Sequence, residues 1–137
     1  MKTIWCYALL ILVFLTSGIC AAEVPNLLGN WTGSWKAYDV GTGYSESTEN
    51  GSINVAFVEQ KDRIFAGNLV FKMKNESDYK DSFVGAIGLD NKTLYMAEVD
   101  KGYIQGTLIS DDEMDVIYLA DGKEASVVID RVHRIKA

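Results

Sequence analysis

His133 is the only histidine of the chain, and Cys6 and Cys20 are its only cysteines. A zinc ion needs three or four nitrogen, sulfur or carboxylate ligands, so these three residues do not suggest a zinc site. Asp111, Asp112 and Glu113, with Asp115, form a dense acidic run. It lacks the alternating ligand spacing and central glycine of a calcium loop, and reads as a solvated turn. Glu98 and Asp115 both fall in expected strands, where an inward carboxylate pair could hydrolyse a glycoside. The separation that decides such chemistry is not encoded in their spacing. No nucleophile-elbow pattern surrounds any serine. The expectation is a non-enzymatic protein with neither catalytic residues nor a resident metal or cofactor.

The aromatic residues are more informative. Trp35, Tyr95, Tyr103 and Tyr118 fall on expected strands, the three tyrosines on adjacent ones. Tyrosines ringing a barrel mouth can hold an apolar body and orient a polar end. These four are the expected ligand-binding residues. The competing reading is that a small barrel fills its interior with side chains.

Eight strands are expected to position them. They run over 30–38, 44–60 (interrupted near Asn50-Gly51), 63–72, 79–89, 93–99, 103–110, 114–120 and 125–136. Asp90-Asn91-Lys92, Asp100-Lys101-Gly102 and Asp121-Gly122 are short turn signals between them. Such short connections imply sequential antiparallel neighbours. The sole proline, Pro25, precedes the first strand, so every strand can pair on both edges. The expected fold is an all-β, eight-stranded antiparallel up-and-down barrel, with a β-sandwich as the alternative. In the last strand Val127, Ile129, Arg131, His133 and Ile135 share the more apolar face and are expected to point inward.

Lys2, the apolar run from Ile4 to Leu15, and the small residues Cys20, Ala21 and Ala22 follow the order of an export signal. The expected division is a signal helix over 1–22 and one barrel domain over 23–137. An anchored or Cys20-lipidated N-terminus is the alternative, and the only expected membrane attachment. Asn50, Asn75 and Asn91 head glycosylation sequons in expected turns, and Asn30 heads a fourth in a strand. The composition is that of a globular chain, with 48% hydrophobic residues and a net charge of −6. That acidity disfavours nucleic acid and anionic lipid as partners. The expected roles are a secreted module holding a small apolar or amphipathic ligand, or an extracellular interaction protein with a filled barrel.

Gly29-Asn30-Trp31 at the start of the first strand, with an inward arginine late in the last, resembles the calycin superfamily of lipocalins, avidins and related barrels. The resemblance implies that Trp31 closes one barrel end, beside Gly29, and that Arg131 packs over the indole, with Arg134 the second choice. The chain lacks the long C-terminal helix of lipocalins and the first-strand asparagine with which avidins hold biotin. Gly29-x-Trp31-x-Gly33 is also faintly similar to nitrobindin-like barrels, where His133 would be the haem ligand. A packed or surface histidine is the plainer reading.

Overall fold

The computed structural model describes residues 23–47, 52–72 and 77–136. The expected signal helix and the sequons at Asn50 and Asn75 lie outside these residues. Among the described residues nine strands form one sheet: β1 (Gly29–Asp39), β2 (Gly43–Glu46), β3 (Ile53–Lys61), β4 (Ile64–Phe71), β5 (Tyr79–Ile87), β6 (Thr93–Glu98), β7 (Tyr103–Ser110), β8 (Glu113–Ala120) and β9 (Ser126–Arg134). Neighbours are antiparallel, and β1 also pairs with β9. Eight strands therefore close into a barrel, and β2 is an extra strand hairpinned onto β1. Closure removes the exposed edges that an open sheet would present. The expected second strand is thus divided into β2, outside the ring, and β3, within it.

Alternation packs the lumen. Trp31, Val55, Phe57, Phe65, Leu69, Phe83, Leu94, Met96, Ile104, Met114, Val116 and Val132 are all buried. Phe57 lies at the centre of an edge-to-face aromatic cluster, 5.3 Å from Phe65, 5.4 Å from Phe83 and 6.1 Å from Trp31. Phe65 stands opposite Gly85, and Phe83 opposite Gly67. A Cβ on either glycine would collide with the facing ring. The two glycines are therefore the space into which the two phenylalanines fold. Leu69 and Ile87 continue these inward faces, whereas Leu89 lies past the end of β5 and is 91% exposed.

The last strand corrects the expected register. Asp130 and Val132 are buried, whereas Ile129, Arg131 and His133 are exposed. The inward set is the one containing Asp130, Val132 and Arg134, one residue from the expected face. The physical reason is an unusually apolar exterior. Ile129 lies opposite Ile117 on β8, and Val127 opposite Leu119. Hydrophobicity along β9 alone therefore pointed to the wrong face.

Arg131 accordingly faces out and makes a bidentate ion pair with Asp115, at 2.6 and 2.8 Å. Arg134 takes the role expected of Arg131. Its guanidinium carbon lies 4.4 Å from the Trp31 ring centroid. It also donates to the carbonyls of Leu28, Asn26 and Asp111. The Trp31 indole donates to Leu27 at 3.0 Å, and Leu27 is fully buried. Gln60 ties down the same lead, accepting from the Leu27 amide and donating to the Pro25 carbonyl. The segment before β1 is thus a plug across this end of the barrel.

Candidate ligand-binding site

The opposite end of the lumen is chemically different. Moving away from Trp31, the inward positions become Trp35 on β1, Phe71 on β4, Tyr79 and Asp81 on β5, Glu98 on β6, Tyr118 on β8 and Asp130 on β9. Register fixes these directions. Glu98 pairs with inward Phe83, and Asp130 lies between Trp35 and Val116 on its two neighbouring strands. A cavity of about 20 Å³ remains there, lined by apolar side chains together with Glu98, Tyr118 and Asp130. That volume accommodates about one water-sized group.

Its polar lining lacks partners. Asp130 is only 2% exposed, and its Oδ1 has no hydrogen bond. Both Glu98 carboxylate oxygens are sealed from solvent without a hydrogen bond of good geometry. The buried Trp35 Nε1 likewise has no acceptor. Burial, and then the nearby Glu98 charge, push the Asp130 carboxyl up to about 7. Burial, reinforced by the Asp81 charge, raises Glu98 to about 7 as well. Burial and the Glu98 charge also raise the Tyr79 and Tyr118 phenols. The two hydroxyls are already engaged: Tyr79 donates to Asp81 and Tyr118 to the Lys101 carbonyl, each at 3.2 Å.

Of the four expected ligand-binding residues, Trp35 and Tyr118 reach this end of the lumen. Tyr95 and Tyr103 are 58% and 72% exposed on the outer face. They sit at the opposite parity from inward Leu94, Met96 and Ile104. Adjacent strands were the right criterion for neighbourhood but not for direction. The carboxylate pairing also differs from expectation. Asp115 is held outside by Arg131, and the acid that lines the lumen cavity together with Glu98 is Asp130. The sequence did carry a signal for it, a lone carboxylate within Val127-Val128-Ile129-Asp130-Arg131-Val132. Asn91 lies in a turn with φ 57° and donates to the Glu23 carbonyl at 3.2 Å.

The architecture defines a closed antiparallel barrel with a plugged end and a polar end. No family model matches the chain, and no curated protein does. Among solved structures it resembles a redesigned β-barrel, at a TM-score of 0.55 and 12% identity over 88% of this chain and all of that one. It also resembles the isotype 1 transferrin binding protein B from serogroup B Neisseria meningitidis, at a TM-score of 0.54 and 16% identity. That match covers 88% of this chain and 28% of the other protein. At these identities the likeness is one of fold.

Proposed function

We propose that this chain is an exported, non-enzymatic, calycin-like barrel that binds a small amphipathic ligand at the lumen end opposite Trp31. The observation that carries the reading is the set of buried polar groups without a well-formed hydrogen bond, Asp130 Oδ1, the Glu98 carboxylate and Trp35 Nε1. Burying a polar group without a partner costs about 1–3 kcal/mol, and more for a charge. A barrel built for stability alone would place apolar residues there. The narrow cavity limits what enters fully to a small polar head, so the ligand differs from one filling a roomy tyrosine-lined pocket. The stacked Trp31–Arg134 pair supports the calycin likeness, and the order of residues in 1–22 supports export. Native mass spectrometry of protein purified from its own source tests the reading. A retained small molecule, lost on Asp130→Leu substitution, is expected. Bare chain mass together with no binding to a panel of short amphiphiles overturns it.

The outer face of β6–β9 favours a second reading, as an interaction module. Tyr95, Tyr103, Ile117, Leu119 and Ile129 form one exposed apolar surface across these strands. Contiguous patches of this kind mark interaction sites. The chain's net charge of −6 matches a protein partner with an apolar centre and a basic rim, and opposes a second copy of itself. A crosslinker at Tyr103 should then capture one basic protein, with capture lost in Ile117→Asp but retained in Val58→Asp on β3. A self-adduct, or capture indifferent to Ile117, excludes this reading.

A further inference from the structure

We infer that the polar end of the lumen seats a primary ammonium group between the carboxylates of Glu98 and Asp130, with the short apolar chain that carries it lying against Phe71 and Tyr118. The inference rests on the ligand-binding reading above and names the chemistry of the ligand's head. Asp130 Oδ1 has no hydrogen bond and neither Glu98 oxygen has one of good geometry, although the Tyr79 hydroxyl and the Asp81 carboxyl both interact with the Glu98 carboxylate. A primary ammonium offers three donors and no acceptor, and so can serve Asp130 Oδ1 and the Glu98 carboxylate together. Its size also suits a cavity of about 20 Å³, which holds roughly one water-sized group. Among the described residues, no lysine or arginine forms an ion pair with either carboxylate. The nearby Lys101 is instead turned to Glu124, at 2.8 Å. The missing positive charge would therefore come from the ligand.

Water filling the cavity is the competing occupant. One water donates two hydrogen bonds and brings no charge, so it leaves the two acids to be neutralised by protonation. The titratable groups around the seat are Tyr79 and Asp81 on β5, Glu98 on β6, Asp100 in the following turn, Tyr118 on β8 and Asp130 on β9. These are acidic or phenolic and each favours a cation once ionised, whereas the Lys101 charge, which also acts on Tyr118, opposes one. The head alone fills the cavity, so the alkyl chain requires the lining side chains Phe71 and Tyr118 to move apart, and their apolar and aromatic faces suit it better than a second polar group would.

The test is calorimetric titration of the chain with butylamine and, separately, with butan-1-ol, at pH 8, while following Trp35 indole fluorescence. Butylamine is expected to bind at least about tenfold more tightly than the alcohol. Glu98→Gln and Asp130→Asn should each weaken butylamine about tenfold or more. Affinity should also fall as pH drops from 8 to 5, because protonation removes the acceptors. Equal binding of amine and alcohol overturns the inference while leaving the amphipathic-ligand reading standing. Butylamine binding that neither variant affects overturns the placement. Binding of neither probe at about 10 mM, an affinity weaker than roughly 3 kcal/mol, overturns both. Circular dichroism establishes that the variants fold, and the amine-versus-alcohol comparison in the unaltered chain decides the matter without them.

Discussion

At the residue scale, two arginines three positions apart have opposite fates. Arg134 is nearly enclosed, stacked on Trp31 and shared among three backbone carbonyls. Arg131 stands in solvent against Asp115, where screening and side-chain entropy cancel most of the attraction. Arg134→Ala should therefore destabilise the barrel by about 2–4 kcal/mol, as lost stacking and orphaned carbonyls add together. Arg131→Ala should leave the melting temperature almost unchanged. Urea denaturation of the two variants side by side checks the contrast. Asp130 gives a second prediction. Burial raises its folded carboxyl to about 7, well above the ordinary aspartate value of about 4, so between those values the folded state holds a proton that the unfolded state has released. Its contribution is fully present below about pH 4 and is lost as pH rises through about 7. Stability should fall over that window, and Asp130→Asn should flatten the fall and raise stability at pH 8 by a few kcal/mol. Melting curves between pH 4 and 8 would refute this if both proteins followed the same profile.

At the element scale, the reciprocal pairs Phe65–Gly85 and Phe83–Gly67 lock β4 to β5. A methyl at Gly85 meets the Phe65 ring and the Tyr95 carbonyl, and the carbonyl cannot move without breaking the β5–β6 ladder. Gly85→Ala should cost about 2–4 kcal/mol by overpacking, whereas Gly122→Ala, which meets no atom but is strained at φ 88°, should cost less, about 1–2 kcal/mol, by the same denaturation assay. Strand positions and antiparallel order were legible in the sequence because turn residues and short connections enforce them. The β4 and β5 inward faces were legible too, since Phe65, Leu69 and Phe83 alternate with polar or small residues. The β9 face was not. Its two sides carry similar apolar content, and the deciding information lies across the ladders, where Asp130 meets Trp35 and Val116. Tyr95 and Tyr103 were misdirected for the same reason: an apolar exterior makes hydrophobicity a poor guide to which side is inside. Half the candidate site was consequently visible, as Trp35, Tyr118 and Glu98, while its most deeply buried acid was hidden by a one-residue shift.

At the scale of the whole molecule, the barrel divides its labour between ends. The Trp31 end is filled and tied by hydrogen bonds, so stability concentrates there, and the other end tolerates buried acids without partners. The short lead from Glu23 to Leu28 belongs to the stable half although it is in no strand. Leu27 buries its whole side chain, its carbonyl accepts from Trp31, and the Leu28 and Asn26 carbonyls accept from Arg134. Removing residues 23–28 would empty the plug, orphan the indole N–H and leave the guanidinium with Asp111 alone of its three carbonyl acceptors. Leu27→Ala, which keeps those carbonyls, should cost about 2–4 kcal/mol, the range for a buried leucine. Deleting the lead should cost more than that substitution, by at least about 2 kcal/mol, since a buried donor loses its acceptor and a charged group loses two of its three carbonyl acceptors. The two forms can be compared by denaturation at equal ionic strength, with near-ultraviolet circular dichroism reporting the Trp31 environment. A deletion no worse than Leu27→Ala would mean that the backbone contacts of the plug are replaced by water without penalty, and that the ring of strands alone closes this end.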